Sequence, residues 1–180
     1  MTHTKRYILT GTPGAGKTTL IRLLETWGYF VVEEAATDII ALDLAHDIQE
    51  SWAHYAFIDR ITALQKQRQI QTASLPFELQ FFDRSPLDTV ALCLYLNRPI
   101  PSVLSEEIER IEQERIYQKA VFFIENLGFC QPSEARKISF EDSLRFERFH
   151  EEVYASRNYE CIRIAPNPVK ERVEEILRYI

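Results

Sequence analysis

The sequence predicts a three-layer α/β/α fold, a parallel five-stranded sheet covered by helices on both faces. Three observations carry this. Short apolar β-type runs alternate with longer helical stretches along the chain, and no internal repeat, low-complexity stretch or long linker divides residues 1–180. The composition, 46% hydrophobic and 27% charged over 180 residues, is that of one ordinary domain, which at this length buries about 70% of its unfolded surface. Finally, three of the five glycines, Gly11, Gly14 and Gly16, fall within six consecutive positions, between the first strand and the first helix.

Tyr7-Ile8-Leu9-Thr10 is the first strand, and residues 17–27 place Leu20, Leu23, Leu24 and Trp27 at helical spacing. Gly28 stands where a helix C-terminus favours positive φ, and Tyr29-Phe30-Val31-Val32 is a second buried-type strand. Residues 37–50 and 51–74 are expected to be helical, the second with Tyr55, Ile58, Ile61 and Gln65 on a mixed face. Phe77, Leu79, Phe81 and Phe82 lead into Asp83 at the end of a third strand. Ser85-Pro86 starts a helix over 87–96, which Pro99 and Pro101 close, and a charged helix spans 102–118. Residues 120–124 are a fourth strand. A loop with Gly128 and Pro132 leads to Ser139 and Asp142, spaced like a capping box, and a helix to about residue 156. Residues 159–164 are a fifth strand, and Asn167-Pro168 opens a closing helix with Val169, Val173, Ile176 and Ile180 on one face.

Bulk numbers exclude several functions. A formal charge of −6 provides no global positive field for a nucleic-acid backbone. The longest apolar run, residues 90–96, is far short of the ~20 residues that span a bilayer. After Lys5 and Arg6 only three apolar residues precede Thr10, so no signal-peptide core is expected and the setting is read as cytoplasmic. Cys93, Cys130 and Cys161 are read as small hydrophobes, and His3, His46, His54 and His150, which lack metal-ligand spacing, as structural or surface residues.

Gly11, Thr12, Pro13, Gly14, Ala15, Gly16, Lys17 and Thr18, followed by Thr19, fit G-x-x-x-x-G-K-[ST] in its strand-to-helix context. The pattern has a mechanism. Glycines let the backbone wrap so that successive N–H groups meet phosphate oxygens, and the helix begun near Lys17 aims its positive end at the same place. Lys17 supplies a point charge for β- and γ-phosphates, and Thr18 a hydroxyl for Mg²⁺. A nucleoside triphosphate is the expected ligand. No Asn/Thr-Lys-x-Asp base-reading motif occurs, which leans the nucleotide towards ATP.

In a parallel sheet the ligand sits beyond the carboxyl ends of the strands, where three further groups fall. Glu33 and Glu34 follow the second strand, placed either to deprotonate an acceptor hydroxyl or to sit solvated at a helix N-terminus. Asp83 ends the third strand, where a carboxylate holds the metal's water shell or binds the acceptor, and Arg84 follows; the two are alternatively a plain ion pair. Arg136, Lys137, Arg145 and Arg148 lie in or after a candidate lid at about 126–150, where arginines can neutralise charge on a transferring phosphoryl group. The alternative for this segment is a surface helix in which Glu141 pairs with Arg145.

Residues 11–18, the Glu-Ala-Ala run at 34–36, the Asp83-Arg84-Ser85 step and the arginine-bearing segment together resemble the P-loop nucleoside and nucleotide kinase group. More narrowly, the chain resembles the AAA-domain family typified by the ribosylnicotinamide kinase part of NadR-type proteins. The resemblance spans nearly the whole chain. It implies a P-loop fold with a nucleotide-kinase-like sheet, and Glu34 as catalytic base with Glu33 beside it. It further implies Asp83 with Thr18 at Mg²⁺, Arg84 at the acceptor and Arg136 in the lid. The family often has arginine shortly after Glu-Ala-Ala, where this chain has Thr37. The expected activity is Mg²⁺-dependent transfer of the γ-phosphoryl of ATP to a small acceptor, a nucleoside or ribosyl compound. The alternative is an ATP- or GTP-dependent regulatory switch with no small-molecule acceptor. The nucleotidyltransferase and DNA-binding portions of larger NadR-type proteins find no room in 180 residues.

Overall fold

The computed structural model describes residues 4–127 and 139–180. Five strands, β1 (Lys5–Thr10), β2 (Phe30–Val32), β3 (Leu79–Asp83), β4 (Ala120–Ile124) and β5 (Glu160–Ile164), form one sheet in the order β2-β3-β1-β4-β5, every neighbouring pair parallel. The helices are α1 (Lys17–Thr26), α2 (Ala35–Ala45), α3 (Phe57–Gln71), α4 (Pro86–Tyr95), α5 (Ser102–Gln113), α6 (Phe140–Ser156) and α7 (Val169–Arg178).

Strand periodicity divides the core in two. Tyr7, Leu9, Phe81, Phe122, Ile124 and Ile164 face one side with Leu20, Leu24, Val173 and Ile176 of α1 and α7. Ile8, Phe82 and Val121 face the other with the apolar residues of α2 to α6. Alternate residues of each strand therefore serve opposite layers, the expected outcome for a sheet buried on both faces.

The register brings the strand ends together. Leu9 lies opposite Asp83 and Thr10 opposite Phe123, so the segments after β1, β3 and β4 emerge side by side at one edge. The chain order reverses about β1, which makes this edge the switch point where parallel sheets take ligands.

Three helices differ from the sequence expectation, each for a local reason. The helix expected over 37–50 is α2, which starts at buried Ala35 and stops where Asp47 turns left-handed at φ 61°. The helix expected over 51–74 is broken into a 3-10 turn at Ser51–Ala53 and α3. Arg98 Nη2 and Nη1 donate to the carbonyls of Ala53 at 3.1 Å and His54 at 3.3 Å, where the His54 carbonyl also accepts from the Phe57 N–H at 3.2 Å. The charged helix ends at Gln113, not 118: Arg115 is left-handed at φ 49°, and the Ile116 N–H returns to the Ile111 carbonyl at 3.0 Å. Gly28 behaves as read, at φ 91° with the Tyr29 N–H returning to the Leu24 carbonyl at 3.1 Å.

Candidate active site

The glycine loop runs from the end of β1 into α1. Gly11, at φ 122°, lies so close to β4 that a Cβ there would meet the Ile124 carbonyl oxygen at 2.4 Å. Gly14 and Gly16 are also left-handed, at φ 84° and 86°. No side chain caps α1. The amide N–H groups of Gly14, Gly16 and Thr18 make no hydrogen bond among the described residues, leaving donors at a positive helix end. Lys17 is 4% exposed, and its Nζ donates to the Gly11 carbonyl at 2.9 Å and the Thr12 carbonyl at 2.6 Å. Its charge is thus held over the loop itself.

Thr18 Oγ1 donates to Asp83 Oδ2 at 3.3 Å, joining the first turn of α1 to the end of β3. Both are hard oxygen donors of the kind that suits Mg²⁺. Among the described residues no group of three or more His, Cys, Asp or Glu side chains is arranged to hold a metal ion. A hydroxyl and a carboxylate so placed fit a cation that takes the rest of its shell from water and phosphate, as Mg²⁺ does in phosphoryl-transfer sites.

Arg84 follows Asp83 in the left-handed region at φ 74°, a strained placement for a non-glycine residue. Its N–H extends the ladder to the Leu9 carbonyl at 3.0 Å, and its side chain turns under the strand end. Nε donates to Glu34 Oε1 at 2.7 Å and Nη1 to Asp88 Oδ1 at 3.1 Å, while Nη2 makes no hydrogen bond among the described residues. Burial disfavours the guanidinium charge, but Glu34, Asp88 and Asp83 outweigh it and raise the pKa above its ordinary value. Glu34 Oε2 accepts from Thr37 Oγ1 at 2.6 Å, so Thr37 orients that carboxylate.

Asp88 anchors this arrangement. Ser85 caps α4, accepting from the Leu87 N–H at 3.1 Å, while Asp88 Oδ2 accepts from the Ser85 N–H at 2.9 Å; Pro86 opens the first turn. The cap thereby fixes a carboxylate beneath β1. Asp88 also accepts from the Thr10 hydroxyl and from the Tyr154 hydroxyl of α6, each at 2.5 Å. Burial opposes its ionisation, and Arg84 with these bonds holds the carboxyl below its usual range. His150, also on α6, meets Arg84 Nη1 at 2.9 Å through Nε2 and the Phe146 carbonyl at 2.8 Å through Nδ1. A guanidinium only donates, so Nε2 accepts and Nδ1 carries the proton. Burial drives the His150 pKa down to about 4, with Arg84 and Lys17 in the same direction and Asp88 opposing. The ring is neutral near pH 7.

A cavity of about 330 Å³ opens beside this network. Glu34, Arg84, Asp88, Gln65 and Thr89 contribute its polar walls, and Trp52, Phe57, Tyr95 and Phe146 are among its apolar ones. Tyr95 and Phe146 stack with centroids 4.6 Å apart, and Thr89 Oγ1 donates to Gln65 Oε1 at 3.0 Å. Pro13 of the glycine loop is one of the lining residues, so the cavity and the loop adjoin. A flat, partly polar guest of nucleoside size suits such walls.

The sequence-derived residues therefore separate. Residues 11–18, Asp83, Arg84 and Glu34 come together. Glu33 is exposed and is not among the lining residues, its carbonyl accepting from Arg68 Nη1 at 2.8 Å. Arg145 and Arg148 are exposed on α6, where the Arg145 guanidinium lies 5.9 Å from the Tyr95 ring centroid. Arg136 and Lys137 fall outside the described residues. Sequence reading missed Asp88, Tyr154 and the tie of His150 to Arg84. Ser85-x-x-Asp88 is a legible capping signal that locates Asp88; nothing local links His150 to β3.

A model of the AAA domain family matches residues 6–172. The search of curated proteins found no significant match. Among solved structures, deoxyadenosine kinase from M. mycoides is similar with its products dCMP and dCDP (18% identity, 97% of each chain, TM-score 0.63). It is similar also with dATP bound (17% identity, 97% of this chain and 98% of that one, TM-score 0.64). NadR protein in complex with NAD and AMP-PNP has a TM-score of 0.69 at 16% identity; the match covers 98% of this chain and 49% of NadR. These likenesses establish a nucleoside-kinase-like P-loop fold.

Proposed function

We propose, from the premise that the chain belongs to the AAA domain family, that it is an ATP-dependent, Mg²⁺-requiring kinase which moves a γ-phosphoryl group to a nucleoside or related ribosyl compound. The observation that carries this reading is the junction of two sites: a glycine loop with Lys17 and with amides unpaired among the described residues adjoins an aromatic-walled cavity whose walls include Glu34 and Arg84. A hydrolysing switch has no need of the second. The solved neighbours include proteins whose complexes hold dATP, dCMP or AMP-PNP, which supports the same assignment.

In this reading residues 11–19 wrap the phosphates, and Lys17 leaves the Gly11 and Thr12 carbonyls for the β- and γ-oxygens. Thr18 and Asp83 hold Mg²⁺, which neutralises phosphate charge when bound. The acceptor's ring lies between the aromatic walls, with Arg84 Nη2 donating to it. Glu34 takes the proton of the attacking hydroxyl, and Thr37 and Arg84 fix its two oxygens. Arg136, on sequence grounds, supplies charge over the transferring group, and Arg145 and Arg148 belong to the same covering segment.

The test is incubation with Mg-ATP and a panel of nucleosides and ribosyl cofactor precursors. At least one member becomes phosphorylated, and Lys17→Ala abolishes the product. Tight ATP binding with no phosphorylated product across the panel contradicts the kinase reading and favours the switch.

A further inference from the structure

Arg172 lies on α7, more than 150 residues from the glycine loop, and is 2% exposed. No carboxylate among the described residues lies within ion-pair distance of it, and its Nε has no hydrogen-bond partner there. Burial presses its pKa down, and Glu125 and Glu175 only partly offset that. A buried cation without a paired anion is costly, so its remaining contacts are informative.

Both of those contacts are carbonyls around the loop. Nη1 donates to Ala15 at 3.0 Å and Nη2 to Glu125, just after β4, at 3.4 Å. The approach is tight: a Cβ on Gly16 would lie 3.3 Å from Nη1. The loop is thus gripped twice, at Gly11 by the closeness of the Ile124 carbonyl and at Ala15 by a guanidinium that also spans to the end of β4. The Ala15 carbonyl and the Gly16 N–H belong to one peptide unit. A cation donating to the carbonyl polarises that unit and makes the N–H a stronger donor. The Gly16 N–H is among those without a partner.

We propose that Arg172 is a positioning residue of the phosphate cradle: bonded to the Ala15 and Glu125 carbonyls, it holds the loop in its binding shape and strengthens its amides from behind. This rests on the nucleotide-binding reading of the loop. It assigns α7 a part in phosphate affinity beyond packing against α1.

The experiment titrates full-length wild type, R172M and R172K with inorganic tripolyphosphate, which has neither base nor sugar and so reports the cradle alone, beside far-UV circular dichroism and thermal melts. R172M is expected to bind at least about tenfold more weakly, the weight of one charge-assisted hydrogen bond, and R172K, which keeps the charge, to recover part of the loss. A role in packing alone lowers the melting temperature of both variants and leaves their affinity within about twofold of wild type below that temperature; this overturns the proposal. Should R172M not fold, R172Q decides by the same criterion, because it removes the charge while keeping a polar side chain of similar reach. If wild type binds neither tripolyphosphate nor ATP, the loop reading itself fails and takes the proposal with it. Wild-type binding with unaltered variants removes the proposal only.

Discussion

Arg84 and Glu34 are each about nine-tenths buried or more, and their value depends on each other. Arg84→Met leaves Glu34, Asp88 and Asp83 without their shared cation, and removing one partner from such a buried pair costs about 3–5 kcal/mol. Chemical denaturation of R84M should show a loss of that order. Glu34→Gln keeps an oxygen for Arg84 Nε but has no basic lone pair for an acceptor proton. It should lower kcat by about 10²- to 10⁴-fold while leaving ATP affinity nearly intact, as kinetics beside calorimetry would show. His150 gives a pH signature. Its folded pKa of about 4 lies below the ordinary 6.5, so between those values the unfolded chain binds more protons and stability falls as the medium is acidified. The contribution is complete above about pH 6.5 and lost by about pH 4. Melting temperature against pH should decline through that window, and His150→Gln should flatten the decline, with the titration of Asp88 following at lower pH.

The elements differ in how openly the sequence declares them. β1, the glycine loop and α1 were legible because each residue type has one job there: apolar alternation for the strand, positive φ for the glycines, a leucine stripe for the helix. The glycines nevertheless differ in what they protect. Gly28 is left-handed at φ 91° with nothing within 4 Å of a built Cβ, whereas Gly11 adds a carbonyl at 2.4 Å. Gly28→Ala should cost only the backbone term, about 1–2 kcal/mol, while Gly11→Ala must also displace β4 or the loop and should destabilise by clearly more in the same urea titration. The α2–α3 region was less legible, because its breaks depend on distant partners such as Arg98, which no local pattern reveals. The network beneath β3 was half legible. Asp83-Arg84-Ser85 stood out at a strand end and Ser85-x-x-Asp88 is a capping pattern, but the meeting of Arg84 with His150 and Tyr154 depends on how α6 packs against α4. Only the tertiary fold sets that contact.

At the scale of the molecule, a chain of net charge −6 that is read as binding polyphosphate must concentrate its cations. It does so by burial. Lys17, Arg84 and Arg172 are each under 9% exposed and meet at the carboxyl edge of the sheet, one over the loop, one beneath β3 and one behind Ala15. The sheet order β2-β3-β1-β4-β5 makes this possible by bringing residues 11–18, 34, 83–88 and 125 to one edge. In the proposed kinase reaction the phosphoryl group delivered to this edge passes to a guest in the adjoining cavity. Single-turnover reaction with ATP labelled at the γ-phosphate, in the presence of the best-bound nucleoside, tests it most directly. The label should appear in the nucleoside, at a rate that falls steeply in Glu34→Gln. Label that accumulates only as inorganic phosphate, at a rate indifferent to the nucleoside, would mean that no phosphoryl group reaches the guest.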